Sequence, residues 1–263
     1  MLSDITIGQH IPGDSIIHNL DPRIKIINTM IAIIALFLIS QFTGFGIFTI
    51  FVIIIIGISG VGYKRVLKGL KPILFLIMLT LILHIFLTRG GDIIWQWKFI
   101  RIEEEGLFRG FFMVSRILLL ITYTTILTLT TSPLKLTEGI EYILSPFKKI
   151  GVPAAELSMM MTIALRFIPT LLEEAEKIIK AQKARGADFE SGNIIQRAKS
   201  LIPLLIPLFI SAFRRADELA LAMESRCYQG GKPRTRLHEL KVNIYDILSL
   251  FLTIMIAMIV AYF

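Results

Sequence analysis

The sequence predicts an all-α, polytopic membrane protein with about five transmembrane helices and a cytoplasmic domain of long amphipathic helices. Of the 263 residues, 54% are hydrophobic and only 18% are charged, and the mean hydropathy of +0.71 is too high for most soluble domains. Several apolar runs approach the roughly 20 residues that a helix needs to cross a bilayer. A stretch richer in charged residues, 132–243, interrupts these runs and is predicted to form the domain outside the bilayer.

Five apolar runs are the predicted spans, and the basic residues between them predict their orientation. Arg23 and Lys25 precede the first span, and a basic cluster from Lys64 to Lys71 separates the second span from the third. The first connection, residues 41–44, has no Lys or Arg. Because short loops rich in Lys and Arg stay in the cytoplasm, we predict a cytoplasmic N-terminus and an external C-terminus. The predicted spans are Ile26–Ser40, Phe45–Val61, Pro72–Thr88, a helix within Leu107–Thr131, and Ile244–Phe263.

This topology divides the chain into three parts. Residues 1–131 form the N-terminal membrane domain with four spans, residues 132–243 form the cytoplasmic domain, and residues 244–263 form the last transmembrane helix. The run 201–212 could be a further span, but it is short and contains Pro203 and Pro207. A crossing there would also move several arginines to the outside. We therefore expect a helix at the cytoplasmic interface, or one packed beneath the spans.

The connection between the third and fourth spans has a different pattern. Apolar and polar side chains largely alternate over residues 95–102. A period of two predicts a small external strand or hairpin. Trp95 and Trp97 could bind a ligand, but anchoring at the membrane interface is the simpler interpretation.

The cytoplasmic domain contains two long predicted helices after a short one that starts at Ser132-Pro133 and ends near Ser145. The first long helix runs from Pro153 to Arg185, with a kink expected at Pro169, and the second runs from about Asn193 to Arg226. Each is apolar in its first half and polar in its second. We expect the apolar halves to be buried and the polar halves to project into water, so that the helices pack against each other or a partner.

Each long helix ends in an arginine between small residues, and these two tripeptides are the candidate functional site. They are Ala184-Arg185-Gly186 and Ser225-Arg226-Cys227, and the arginines are 226 − 185 = 41 residues apart. Each arginine could cap its own helix, where the last carbonyls lack intrahelical partners. The alternative is docking, because small neighbours allow close approach and a guanidinium matches a carboxylate or an acidic groove.

Three features of the chain resemble the transmembrane T-component (EcfT) of energy-coupling factor transporters, a type of ABC transporter. The resemblance covers nearly the whole chain. It implies a subunit that joins a substrate-binding membrane subunit, the S-component, to two cytoplasmic ABC-type ATPases. The features are the N-terminal run His18–Lys25, the block Ala164–Thr170 and the two terminal arginine motifs.

The same resemblance implies that the paired arginine motifs insert into grooves on the two ATPases. Ala184, Arg185 and Gly186 match the first family motif fully. In the second motif only Arg226 matches outright, because Ser225 and Cys227 stand where Ala and Gly are common. A docking role is therefore expected for both Arg185 and Arg226, whereas a glycine is not expected to be required after Arg226.

Several other activities are not supported by the sequence. The run Gly230–Pro233 is too short for a phosphate-binding loop, so ATP hydrolysis is assigned to partner chains and this chain is predicted to be non-catalytic, with no cofactor. Four scattered histidines and a single cysteine predict no metal site and no disulfide. The net charge of +8 fits basic cytoplasmic loops better than nucleic-acid binding.

Arg116 is an unusual charged residue, because it lies within the fourth predicted span, where charged side chains are rare. Ionisable groups at membrane depth usually mark function. We interpret Arg116 as structural, either reaching the outer interface or pairing with an acidic residue among 103–105.

The predicted function is therefore mechanical coupling in a cell membrane. Movement of the two ATPases would pass through the arginine-tipped helices to the S-component and release a vitamin or similar micronutrient inside, as the resemblance implies. The alternative is a stand-alone secondary transporter or a polytopic membrane enzyme. That alternative predicts paired charges or broken helices at the bilayer midplane, and the predicted spans contain neither.

Overall fold

A computed structural model describes residues 10–97, 100–189, 193–230 and 240–262, and the described chain is almost entirely helical. Within the described helices and strands, the side chains of residues 95–97, 100, 101, 194 and 198 lie outside that description, and residues 232–238, which include Arg234 and Arg236, lie outside it altogether. The helices are α1 (Ile16–Asn19), α2 (Pro22–Leu38), α3 (Phe42–Ser59), α4 (Tyr63–Leu70), α5 (Leu74–Leu87), α6 (Glu104–Thr130), α7 (Pro133–Leu144), α8 (Ala154–Ala184), α9 (Ile194–Ser200), α10 (Ile202–Ser225) and α11 (Ile244–Tyr262).

The described residues fall into two compact units. The bundle unit comprises residues 10–140 and 240–262, and the arm unit comprises the described residues from 141 to 230. The core of the bundle unit is formed by α2, α3, α6 and α11, with Leu36, Phe48 and Val260 fully buried at its centre.

Six helical stretches in the described part of the chain are long and apolar enough to cross a membrane. Four of them correspond to the predicted second, third, fourth and last spans, and the first predicted span forms α2, which has 17 residues. The remaining two are α8 and the α9–α10 stretch, which the sequence predicts to lie in the cytoplasmic domain. The six are Phe42–Ser59, Tyr63–Leu87, Glu104–Thr130, Ala154–Ala184, Ile195–Ser225 and Ile244–Tyr262.

The predicted hairpin is confirmed. Strands β1 (Ile93–Trp97) and β2 (Ile100–Glu103) pair antiparallel, and a register shift between Ile93 and Trp95 interrupts the ladder. The hairpin leads directly into α6, which begins at Glu104.

The prediction of one continuous helix from Asn193 to Arg226 is wrong. The structure has two helices there, α9 and α10, which are separated at Leu201. The physical reason is Pro203, which has no N–H to donate to the carbonyl four residues before it and is tolerated instead in the first turn of a new helix.

A buried polar cluster joins the first turns of α2 and α11 to the last turn of α6. The Asp246 carboxylate accepts a hydrogen bond from the Asp21 N–H at 2.7 Å. Asp21 in turn caps α2 and forms a 2.8 Å ion pair with Arg23. The Lys25 ammonium donates to two main-chain carbonyls and one threonine hydroxyl at 3.1–3.2 Å, including the carbonyl of Thr130. These contacts place the ends of three helices at one end of the bundle unit.

Arg116 secures the opposite end of α2. Its guanidinium donates to the carbonyls of Leu36 at 3.1 Å and Ile39 at 3.0 Å, which are the carbonyls that a helix end leaves unpaired. It also lies over the rings of Phe37 and Phe112, at 5.6 and 5.1 Å from their centroids. Arg116 therefore has a structural role, through these carbonyls rather than through the acidic residues that the sequence offered.

The contact between α5 and α6 depends on a glycine. A Cβ at Gly106 would lie 2.9 Å from the carbonyl oxygen of His84 and 3.1 Å from that of Thr88. Both neighbours are main-chain atoms, so no side-chain rotation could relieve the contact.

Candidate docking site at the ends of two long helices

The arm unit is organised around the contact between α8 and α10. Arg215 donates through Nη2 to Glu174 Oε2 at 3.1 Å, and both side chains are partly exposed. Each of these residues lies the same distance before the terminal arginine of its helix, since 185 − 174 and 226 − 215 both equal 11. The two helices therefore touch at equivalent positions relative to their arginine-bearing ends.

Beside this ion pair the two helices leave an apolar groove. Its volume is about 660 Å³, and Phe167 and Leu171 of α8 face Leu219 and Met223 of α10 across it. The two helices are thus not packed against each other along their whole length. The helices were expected to pack against each other or against a partner, and the structure shows that they pack against each other in part and leave this groove between them.

The end of α8 has a defined backbone geometry. Gly186 follows the helix with φ +85°, in the left-handed region that favours glycine. The Ala187 N–H then bonds to the Gln182 carbonyl, and the Gly186 N–H bonds to the Lys183 carbonyl, both at 3.0 Å. These two bonds form a Schellman motif, which satisfies carbonyls at the helix end.

The end of α10 repeats this geometry without a glycine. Cys227 occupies the left-handed position with φ +58°, and among the described residues it is the only non-glycine residue with positive φ. The Tyr228 N–H bonds to the Met223 carbonyl at 3.0 Å, and the Cys227 N–H bonds to the Glu224 carbonyl at 2.9 Å. The two helix ends are therefore alike in hydrogen bonding, although Cys replaces Gly.

Because backbone N–H groups already satisfy these carbonyls, neither arginine is needed as a cap. In the part of the chain that the structure describes, the guanidinium groups of Arg185 and Arg226 have no hydrogen bond or ion pair, and both residues are exposed. Their neighbours Ala184, Gly186 and Ser225 are exposed too, as is the free thiol of Cys227. The geometry thus favours docking over self-capping.

Sequence reasoning located both helix ends but missed two features of the site. It did not identify the Glu174–Arg215 contact, although the 41-residue offset between the arginines also relates these two positions. It also did not predict that Cys227 adopts the conformation of a glycine. The position of Cys227 directly after Arg226, matching that of Gly186 after Arg185, was the available signal.

A bundle of apolar helices together with two helices that end in exposed arginines defines a multi-pass membrane protein. Residues 13–237 match the family model described as cobalt transport protein, CbiQ. The energy-coupling factor transporter transmembrane protein EcfT of Clostridium kluyveri is 54% identical over 250 residues, which cover 95% of this chain and 93% of the relative.

Proteins with that same description occur in other bacteria. The relative from Thermosediminibacter oceani is 53% identical over 97% of this chain and 96% of its own length. The relative from Bacillus subtilis is 45% identical over 91% of both chains. The chain therefore belongs to the CbiQ family, among the EcfT transmembrane proteins of energy-coupling factor transporters.

Proposed function

We propose that this chain is the coupling subunit of its transporter, docked through Arg185 and Arg226 on two cytoplasmic ABC-type ATPases. It would pass their movement to a membrane-embedded S-component that takes up a vitamin or similar micronutrient. Hydrolysis would belong entirely to the ATPases. The observation that carries this proposal is the pair of matching Schellman ends, each presenting an exposed arginine without a partner in the described chain.

The docking chemistry follows from the residue types at the two ends. A guanidinium offers a planar set of donors that binds a carboxylate bidentately, so an acidic groove on each ATPase would be the matching surface. Ala184 and Ser225 present little side-chain bulk beside the arginines. The helix end can therefore enter a narrow groove with the arginine leading.

Coupling further requires that the two helices make different contacts in the open and closed states of the ATPases. The ion pair between Glu174 and Arg215 ties the helices together 11 residues from each tip. A displacement of one tip would therefore be transmitted to the other helix and to the apolar groove beside the ion pair. That groove would supply apolar surface to the S-component.

Charge reversal at the tips tests the docking step. In the double variant Arg185→Glu with Arg226→Glu, each substitution replaces a cation with an anion facing an acidic groove. We expect the affinity for the ATPases to fall by roughly 30-fold or more, since breaking a buried charge pair costs about 2 kcal/mol or more. Co-purification of the ATPases with the tagged chain from membranes measures the loss.

The matched control places the same charge change on the same two helices away from their tips. Lys177 on α8 and Arg214 on α10 are both exposed. The double variant Lys177→Glu with Arg214→Glu should retain the ATPases. Equal loss in both double variants would show that overall charge, and not the tips, controls association. Retention by the tip variant would refute docking through the arginines.

The proposed cytoplasmic placement of the arm unit has its own test. Cys227 is the only cysteine in the chain and is exposed, so a membrane-impermeant thiol reagent reports on which side it lies. We expect labelling in inside-out vesicles and not in right-side-out ones. A Cys227→Ser variant carrying Thr43→Cys, at an exposed position in the first turn of α3, should give the opposite pattern. Labelling of Cys227 from the outside would overturn the proposed topology.

A further inference from the structure

The short helix α4 carries a charged surface that the docking role does not use. It connects α3 to α5, and a turn with two glycines in the left-handed region, Gly60 at φ +67° and Gly62 at φ +88°, separates it from α3. The helix and its C-cap residue expose Lys64, Lys68 and Lys71. Spacings of four and three residues place these three side chains on one side of the helix. We call this row the lysine stripe.

The packing of α4 fixes the direction in which the lysine stripe points. Val66, two residues from both Lys64 and Lys68, lies on the opposite side of the helix and is only 1% exposed. Gly69 lies against α6, where an added Cβ would be 3.0 Å from Cγ2 and 3.1 Å from Oγ1 of Thr125. Contacts on its inner side therefore hold α4 on the bundle, and the lysines face away from the protein.

The lysine stripe has no acidic neighbour along the helices around it. Residues 22–91, which include all of α3, α4 and α5, contain no Asp or Glu, and neither do residues 106–137, which form most of α6. Among the residues that the structure describes, no carboxylate forms an ion pair with any of the three lysines. Like charges four residues apart repel each other and weaken a helix. An anion bound along the stripe would offset this repulsion.

The two carboxylates buried at this end of the bundle are used elsewhere. Thr125, which α4 contacts, lies five residues before the end of α6 at Thr130, so the lysine stripe and the buried polar cluster lie at the same end. In that cluster Asp21 pairs with Arg23, and Asp246 accepts two main-chain N–H groups. The charge of the exposed lysines is therefore left for a partner outside the chain.

The surface beside the lysine stripe is apolar. Tyr63 and Leu67 form a second row next to the lysines and are 50% and 61% exposed. Ile58 near the end of α3 and Phe75 at the start of α5 are exposed as well, and both lie in stretches that are long and apolar enough to cross a membrane. Cations beside exposed aliphatic and aromatic side chains are typical of a helix that lies in the membrane interface. This surface matches a phospholipid, which has a phosphate and an acyl chain in one molecule.

We propose that α4 binds anionic phospholipids in the leaflet that surrounds this end of the bundle. The phosphate groups lie along Lys64, Lys68 and Lys71, and the upper parts of the acyl chains cover Tyr63 and Leu67. Because packing against α6 already fixes the helix, the lysines gain these contacts without ordering of the backbone. Each lysine close to anionic lipid strengthens binding roughly fivefold. The site is separate from the arginine tips, so it does not depend on ATPase docking.

The lipid composition next to α4 tests the proposal. The full-length chain, purified without partner subunits, carries Trp95→Phe and Trp97→Phe, so that Leu67→Trp supplies its only tryptophan. Nanodiscs contain equal amounts of phosphatidylglycerol and phosphatidylcholine, and one of the two lipids is brominated in its acyl chains. Fluorescence quenching by each brominated lipid in turn gives the ratio of the two lipids beside residue 67. We expect phosphatidylglycerol to be favoured roughly fivefold at about 50 mM salt and much less at about 500 mM, where charges are screened.

Removing the charges identifies the groups that attract the lipid. The triple variant Lys64→Gln, Lys68→Gln and Lys71→Gln keeps good helix formers at exposed positions and should bring the ratio close to one. The matched control removes the same number of exposed cations from the arm unit and should leave the preference intact. It combines Lys177→Gln, Lys180→Gln and Arg214→Gln.

A second reporter position measures the preference of the chain as a whole. Met258→Trp replaces Leu67→Trp, because Met258 is exposed on α11 and residues 242–263 contain no Lys or Arg. The ratio of the two lipids beside residue 258 should be close to one.

Three results would overturn the proposal. Equal quenching by the two lipids beside residue 67 would leave the lysine stripe to an acidic protein surface. A preference that survives the three glutamines would show that other groups attract the lipid. The same preference at residue 258 would show that it does not arise at α4.

Discussion

Replacing Cys227 with glycine should stabilise the end of α10, because Cys227 holds a backbone conformation that suits glycine. Its φ of +58° lies in the left-handed region, where a Cβ approaches the carbonyl oxygen. Gly186 occupies the equivalent position after α8 with φ +85° and has open space around its Cα. The reverse substitution, Gly186→Ala, therefore introduces backbone strain without any steric contact. It tests the same argument in the opposite direction.

The expected size follows from two opposing terms. Placing glycine at this left-handed position removes about 1–2 kcal/mol of backbone strain, because glycine has no Cβ. Glycine also loses more freedom on folding, which costs roughly 0.5–1 kcal/mol. The net stabilisation of the helix end therefore lies between about 0 and 1.5 kcal/mol, and the central values give about 0.75 kcal/mol, or roughly a three- to fourfold change in the local opening equilibrium. Gly186→Ala should destabilise the end of α8 by a similar amount.

Amide hydrogen exchange measures these changes where they occur. The Cys227 and Tyr228 amides bond to the Glu224 and Met223 carbonyls, so their exchange should slow roughly three- to fourfold in Cys227→Gly. The Ala187 amide, bonded to Gln182, should exchange faster in Gly186→Ala. Exchange at residues 227 and 228 that is unchanged or faster in Cys227→Gly would refute the strain argument. ATPase association should survive Cys227→Gly, since the arginine is untouched.

Three further substitutions test the bundle unit by thermal unfolding. Gly106→Ala forces a Cβ against main-chain carbonyls and should cost about 1–3 kcal/mol, whereas Gly46→Ala, with open space around it, should not destabilise. Asp246→Asn places an amide donor opposite a backbone N–H, such as that of Asp21, and should lower the melting temperature through a loss of roughly 1.5–3 kcal/mol. Burial lowers the pKa of His18, so its neutral form stabilises the fold above the unfolded pKa of about 6.5 and that stability is lost as pH falls. The drop in melting temperature from pH 7.5 to 5.5 should therefore be smaller in His18→Gln, and an equal drop would exclude His18 as a contributor.

Local features of the chain were predictable where one residue type dictates them. The helix start at Pro133 and the helix end at Gly186 follow from capping chemistry, and the alternation near Trp95 predicted the hairpin. The break at Leu201 was missed because an amphipathic pattern continues across it, while the missing N–H of Pro203 decides the outcome.

Contacts between distant segments were not predictable, because periodicity identifies the buried face of a helix and not the atoms that meet it. Asp21 and Asp246 are 225 residues apart, and nothing local marks them as partners. Arg116 was expected to reach the outer interface or to pair with an acidic residue, yet its guanidinium donates to the free carbonyls at the end of α2. At the candidate site the arginines themselves were predicted, whereas their backbone setting and the Glu174–Arg215 contact required the structure.

The contact between Glu174 and Arg215 requires different residues at equivalent positions of two otherwise similar helices. Glu174 and Arg215 lie at the same distance from the tips of their helices, so two identical helices that touched at this position would bring like charges together and repel. A single chain that carries both helices can place an acid on one and a base on the other, so covalent linkage allows an attractive contact between helices whose ends remain alike.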